Sequence, residues 1–239
     1  MNLFRLCHTT SDEIFAPLVR LGAVQFASNL HVPTYFMEQL FTIEDKRFQI
    51  HPGVDPIAIV RAGLENLRGR GRLQGASTIT QQLYDARREL KGFSRSRNLS
   101  RKILQAGWAL LEETHRSKLN ILGEYLNIVY WGRSYYGIDA AARGYFHSNR
   151  DNITIAQSFF LSERLASPNS ISISRIRSLL SRASLSKWFP EDKSNIEELV
   201  TIYDRRFHCG GELWQCLVKY PKKLEGPMSK SWSDAWNMP

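Results

Sequence analysis

Hydrophobic positions recur every three to four residues through most of the chain, a spacing typical of α-helices with one buried face. Between residues 13 and 30 the apolar stripe consists of Phe15, Leu18, Val19, Gly22 and Phe26. Arg20 is the only basic residue of that stretch, so the pattern favours a helix packed on the protein core over one lying on a membrane. Pro33 ends the pattern, and a second apolar group follows at Phe36, Leu40 and Phe41.

The same periodicity predicts further helices along the chain. They cover residues 55–68, a segment from Ile79 to Ala86, residues 99–114, 117–130, a segment around 140–145, and 153–166. Ser77 and Thr78 precede the second of these and can cap it, because a hydroxyl oxygen accepts from the free N–H groups of a first helical turn. No segment alternates convincingly with period two, so the predicted fold is mainly α. Beyond about residue 190 the periodicity fades.

Length and charge narrow the classes of function. A chain of 239 residues can bury one substantial core, which predicts one main domain. Its 32 Lys and Arg against 23 Asp and Glu give a net charge of +9, which indicates an anionic partner: a nucleic acid, an acidic membrane surface or a phosphorylated substrate. The basic residues concentrate in residues 68–77 and 87–102.

Cysteine and hydropathy patterns add little to this. Three cysteines, an odd number, do not predict a complete disulfide framework, and a pair between Cys209 and Cys216 stays open. The sequence contains no run of about 18 apolar residues and no recognisable secretory signal. It also lacks the spacing of a zinc site, so no metal ligands are predicted.

Candidate chemistry lies where Glu44 and Asp45 precede a loop containing Pro52 and Gly53. A basic loop and the hydroxyl- and amide-rich run STITQQ, residues 77–82, come next in the chain. A carboxylate can accept a hydroxyl proton, cations can stabilise a pyrophosphate, and amides can bind sugar hydroxyls. The combination suits a sugar phosphate substrate.

Five blocks in order resemble the glycosyltransferase family 51 domain of class A penicillin-binding proteins and monofunctional peptidoglycan transglycosylases. The blocks are IEDKRFQIHPGVD at 43–55, QGASTITQQL at 74–83, RKILQAGWALLEE at 101–113, ILGEYLNIVYWG at 121–132 and GIDAAARGYF at 137–146. A weaker match follows at 153–170. The resemblance implies a lysozyme-like glycosyltransferase domain with a small flanking membrane-proximal lobe. We divide the chain into an N-terminal amphipathic helical segment (1–35), this domain (36–190) and a tail or small subdomain (191–239).

The resemblance implies a role for each matched residue. Glu44 matches the catalytic base, which deprotonates the 4-hydroxyl of an acceptor sugar as it attacks the donor chain with inversion and expels a polyprenyl pyrophosphate. Gln105 takes the position of the second catalytic glutamate. The matched substrate-binding positions are Asp45, Phe48, Ser77, Thr78, Gln81, Gln82, Arg101 and Lys102. No cofactor is required, although a divalent cation can act in such a site, and burial is expected to raise the pKa of the base.

The chain departs from the family pattern at three positions. Gln105 replaces a glutamate and carries no charge. Asp85 replaces a lysine expected to face the pyrophosphate, so we expect it to repel the substrate unless Arg87 or Arg88 compensates. Gly123 replaces a glutamate of the fourth block, which we expect to be a smaller loss.

The implied partners are a lipid-linked disaccharide-peptide precursor and the growing glycan strand, with peripheral membrane contact at the outer face of the cytoplasmic membrane. Nucleic acid is not expected as a partner, and the oligomeric state is left open. Three alternatives remain: a degenerate domain that binds precursor or glycan without catalysis, a basic nucleic-acid-binding protein suggested by charge alone, and, more distantly, a glycan hydrolase.

Overall fold

The mainly α fold predicted from the sequence is confirmed. The computed structural model describes residues 3–67, 76–93, 98–189 and 194–207. Within these ranges the chain forms the following helices: α1 (Leu3–Leu30), α2 (Thr34–Glu44), α3 (Pro56–Leu67), α4 (Ile79–Leu90), α5 (Leu99–His115), α6 (Lys118–Ile128), α7 (Ile138–Phe146), α8 (Ile155–Arg164), α9 (Ile173–Leu180), α10 (Ala183–Ser186) and α11 (Ser194–Phe207).

Side-chain caps explain where several helices begin. Thr78 and Thr154 each form a capping box with the glutamine three residues later, which satisfies N–H groups at the starts of α4 and α8. Asn98, Ser117 and Ser172 accept from the third residue of α5, α6 and α9 in the same way. These caps use only short-range contacts, so they could be read from the sequence.

Helix α2 lies at the centre of the core, where it packs on α1 and α8. Its Phe41 stacks on Phe48 with ring centroids 5.5 Å apart, and Phe26 of α1 meets both rings edge-on. The apolar stripe of α1 therefore faces the core, as predicted, with Val19 and Phe26 buried. Glu44, the last residue of α2, is held by this central helix.

Helix α11 extends the fold beyond residue 190, where the sequence pattern had indicated only a tail or small subdomain. It packs on α8 and buries Leu199 and Tyr203. The boundaries proposed at residues 35 and 190 stay predictions, and Cys209 and Cys216 lie outside the described residues.

Helices α3 and α5 expose much of their apolar surface. The exposed residues of α3 are Ile57, Ile59, Val60, Leu64 and Leu67, and those of α5 are Leu99, Ile103, Leu104, Leu110 and Leu111. The loop before α3 touches α5: a Cβ on Gly53, whose φ is +95°, would lie 2.3 Å from the Ala109 carbonyl oxygen. Glycine is therefore required there. Across the ranges given above, no helix is long and apolar enough to cross a membrane.

Candidate active site

Glu44 is nearly buried, with a side chain only 8% exposed. Its Oε2 accepts a 2.8 Å hydrogen bond from Gln82 Nε2, and Gln82 in turn accepts from the Tyr125 hydroxyl at 2.7 Å. Burial raises the pKa of Glu44, and the Asp45 and Glu163 carboxylates add to the rise, whereas Arg175 and the Gln82 hydrogen bond lower the pKa. The net direction is upward, as expected from the sequence, and a carboxylate with a raised pKa is a better proton acceptor near neutrality.

Asp45 follows Glu44 but points into the protein. Its carboxylate lies 3.0 Å from His51 Nε2 and accepts from the Ile79 backbone N–H at 2.9 Å. His51 Nδ1 accepts from the Gly53 N–H, so the ring donates to Asp45 through Nε2. This chain of contacts joins the end of α2 to the start of α4 and fixes where Glu44 and Gln82 meet.

Phe48 and the polar residues at the start of α4 are mostly committed to internal contacts. Phe48 is fully buried in the aromatic stack beside Phe41. Thr78 is also buried, donating to the Gly53 carbonyl oxygen at 2.6 Å, and the Gln81 side chain accepts from the Thr78 N–H. Ser77 is partly exposed and accepts from Lys102 Nζ at 2.7 Å. Direct substrate binding by these residues stays a prediction.

Two of the three departures from the family pattern, Asp85 and Gln105, contact each other. Gln105 Nε2 donates to Asp85 Oδ2 at 2.8 Å and to the Gln81 carbonyl oxygen at 2.8 Å. Arg101 Nη1 approaches Asp85 Oδ1 to 2.5 Å, and Lys102 Nζ donates to Gln105 Oε1 at 2.8 Å. Asp85 and Gln105 are therefore one polar unit between α4 and α5, and Arg101 is already paired with an anion.

Arg87 and Arg88, considered in the sequence analysis as substitutes for a missing lysine, have other contacts. Arg87 pairs with Glu124 of α6 through Nε at 2.5 Å and Nη2 at 2.6 Å, and its guanidinium lies over the Trp108 ring. Arg88 lies over the rings of Tyr84 and Phe93. Both contribute to packing around α4.

Three residues that sequence reasoning missed complete the surroundings of Glu44. Arg175 of α9 lies 3.5 Å from Glu44 Oε1 and 3.6 Å from Glu163 Oε1. Glu163 is fully buried on α8, and its Oε2 accepts from the Tyr203 hydroxyl of α11 at 3.0 Å. No sequence signal distinguishes Arg175 from its neighbours, because Glu44 is 131 residues away along the chain.

The geometry does not fit a divalent cation near Gln105. The Asp85 oxygens accept from Arg101 and Gln105, and the Gln105 oxygen accepts from Lys102. Among residues whose positions are given, no group of three or more His, Cys, Asp or Glu could hold a metal ion.

Comparison with known proteins places this arrangement in a family. The family model described as "Transglycosylase" matches residues 21–186. Penicillin-binding protein 1A of Streptococcus oralis is 38% identical over 165 residues, which cover 68% of this chain and 25% of that protein. The proteins of the same name from Rickettsia felis and Aquifex aeolicus are 36% and 41% identical over 149 and 115 residues, which cover 60% and 48% of this chain.

The chain spans about 15 to 25% of the length of these three relatives. The matched residues nevertheless include Glu44, the contact between Asp85 and Gln105, and Arg175. The family model covers more than half of the chain. The chain therefore belongs to the transglycosylase family, glycosyltransferase family 51.

Proposed function

We propose that this protein is a peptidoglycan glycosyltransferase that polymerises a lipid-linked disaccharide-peptide, lipid II, into glycan strands with inversion. Glu44 is the general base. It takes the proton from the 4-hydroxyl of the acceptor sugar while that oxygen forms a bond to the anomeric carbon of the donor chain. The bond from that carbon to the pyrophosphate oxygen breaks, and polyprenyl pyrophosphate leaves with the electron pair.

The observation that carries this proposal is the environment of Glu44. A nearly buried carboxylate with a raised pKa, hydrogen-bonded by Gln82 and facing Arg175, is suited to accept a proton. Arg101 and Lys102 lie on α5, which is joined to α4 by the Asp85 and Gln105 cluster, and they are the cations proposed to meet the pyrophosphate.

Substituting Glu44 with Gln tests the base. Gln has nearly the same shape but cannot accept the proton, so we expect loss of polymer by at least about 100-fold with precursor binding retained. The measurement is glycan-chain formation from purified lipid-linked disaccharide pentapeptide in detergent, with wild type and Glu44→Gln side by side. Polymer formation by the variant at the wild-type rate would reject Glu44 as the base.

The pairing of Arg101 with Asp85 supports a second candidate, a degenerate domain that binds precursor or glycan without polymerising it. An internal carboxylate already neutralises one cation of the proposed pyrophosphate site. In the same assay, precursor binding without polymer from wild type would favour this candidate over the enzyme.

We further propose that the protein works at the outer face of the cytoplasmic membrane, with α3 and α5 in contact with lipid. Both helices expose several apolar residues, and Arg101 and Lys102 lie near the start of α5. An apolar surface of this kind marks an interaction site, and basic residues beside it favour anionic lipid headgroups.

A further inference from the structure

Burial and the Gln82 hydrogen bond are not the only influences on the charge of Glu44, because other charged groups also act on it. As the last residue of α2 it is close to the negative end of the helix dipole, which disfavours a carboxylate. Gln82 donates to Oε2 only, and Oε1 faces the Arg175 guanidinium at 3.5 Å. The two oxygens of Glu44 therefore have different partners, from α4 and α9.

Arg175 is shared between two carboxylates. It lies 3.5 Å from Glu44 Oε1 and 3.6 Å from Glu163 Oε1, both longer than the 2.7–2.9 Å typical of a full charge-assisted hydrogen bond. Glu163 is 1% exposed at its side chain and is held from the other side by Tyr203. A guanidinium between two carboxylates does not reach the optimal distance to either, and the negative charge of Glu163 offsets part of the positive potential that Arg175 creates at Glu44.

We propose that Arg175 is a positioning residue for Glu44, and that Glu163, held by Tyr203, limits how strongly Arg175 attracts it. This inference rests on the proposed function, in which Glu44 must hold one orientation toward the acceptor hydroxyl. Gln82 and Arg175 each hold one carboxylate oxygen. A stronger ion pair would favour the ionised carboxylate and make it a weaker base, and Glu163 opposes that effect.

The other charged groups near Glu44 define what a pH measurement reports. Asp45 follows it in the chain, Glu163 faces it from α8 and Arg175 from α9. Where α10 packs on α2, Lys187 pairs with Glu38, six residues before Glu44. Among the groups that shift the pKa of Glu44, Arg175 is the cation, and Glu163 is the anion that lies on a different helix from Glu44. Removing the charge of Arg175 and removing that of Glu163 should therefore shift the pKa of Glu44 in opposite directions.

The test is a direct titration of Glu44 in the full chain, by NMR of ¹³Cδ-labelled glutamate with the signal assigned through Glu44→Gln. We expect Arg175→Gln to move the midpoint to higher pH and Glu163→Gln to move it to lower pH. Arg175→Lys keeps the charge and should restore most of the wild-type value. Arg177→Gln is the matched control, because it removes the same charge from the same helix. Arg177 lies two residues after Arg175, which places it about 200° around the helix axis.

Activity gives an independent reading. The acid limb of kcat/KM, which reports the free enzyme, should move in the same two directions, and Arg175→Gln should lose about 10- to 100-fold in kcat above that limb because the base is less well oriented. Arg175 is partly exposed, so its variants keep the test decisive even if Glu163→Gln fails to fold.

The outcomes separate the two proposals. Opposite titration shifts support the positioning role even if no polymer forms, in which case only the enzymatic function fails. Polymer that is lost in Glu44→Gln, with an unchanged midpoint in Arg175→Gln, would leave the enzyme standing and overturn the positioning role. Shifts of both variants in the same direction would also overturn it.

Discussion

At the residue scale, the contact between Asp85 and Gln105 changes the meaning of the two substitutions. Considered one at a time, the lost lysine weakens a cationic substrate site, and the lost glutamate removes a charged carboxylate from the proposed catalytic site. In the structure Asp85 accepts from both Gln105 and Arg101, so the two positions form a compatible pair across α4 and α5. Asp85 and Gln105 keep a polar contact between the two helices, and Asp85 also pairs with Arg101.

This contact predicts that the two positions are coupled. Asp85→Lys alone brings an ammonium beside Arg101 with no carboxylate to pair with either cation, and Gln105→Glu alone brings a second carboxylate against Asp85. Both single variants should lose stability, whereas Asp85→Lys with Gln105→Glu restores opposite charges, releases Arg101 and raises polymerisation above wild type. We expect a coupling free energy of about 1 to 3 kcal/mol.

Urea unfolding of the wild type, both single variants and the double variant measures that coupling, and the polymerisation assay measures the gain. Asp85→Asn is the control that removes the charge but keeps the shape. Additive changes in the free energy of unfolding would contradict the coupling.

At the element scale, ion pairs between helices hold α4 against α5 and α6. Glu124 of α6 accepts from Arg87 of α4 with both oxygens and from Arg116, which follows α5, at 2.6 Å. Glu112 of α5 pairs with the same two arginines. The network fixes the orientation of α4, which carries Gln82 and Asp85 into the candidate site.

Glu124 gives this network a pH dependence. Hydrogen bonds from Arg87, then from Arg116, lower the pKa of Glu124 despite partial burial. A lowered pKa means that the carboxylate contributes stability above its unfolded-state pKa, and that this contribution is lost as pH falls through the folded-state value. Glu124→Gln should therefore cost about 1 to 2 kcal/mol at pH 7 and progressively less below about pH 4.

Thermal unfolding across pH 3 to 8 checks this expectation. Glu197→Gln, at an exposed position of α11, is the matched control and should show little difference from wild type at any pH. An equal loss of stability in Glu124→Gln at pH 3 and pH 7 would assign the effect to packing rather than to charge.

At the scale of the whole molecule, the proposed function links the exposed apolar residues of α3 and α5 to the candidate site. In that proposal, the lipid-linked substrate keeps its polyprenyl chain in the membrane while its sugars reach Glu44. Helix α5 carries exposed leucines as well as the cations Arg101 and Lys102. Lipid contact through this helix would therefore place the pyrophosphate close to the membrane surface.

Aspartates on this surface should weaken membrane binding. Ile103 and Leu104 are 63% and 64% exposed, so Ile103→Asp with Leu104→Asp removes apolar contact with lipid without opening the core. We expect at least about a tenfold loss of partitioning into phosphatidylglycerol-containing vesicles, measured by co-sedimentation. Leu21→Asp, on α1 and 67% exposed, is the matched control, and equal losses in both variants would contradict a specific lipid-facing surface.

The sequence by itself determined the helical class, most helix positions and the family. These depend on contacts three to four residues apart, such as the capping boxes at Thr78 and Thr154, and on motifs that are continuous in the chain. The resemblance also predicted that burial raises the pKa of Glu44, the proposed base.

Only the tertiary structure decided which polar groups meet. Glu44 and Arg175 are 131 residues apart, and Asp85 and Gln105 are 20 apart on different helices, so no periodicity or local motif links them. The outward direction of the apolar residues of α3 was equally unpredictable, because a stripe at helical spacing is the same whether it faces a core or a surface. Long-range packing sets these relations, and in this protein it sets the surroundings of the proposed base.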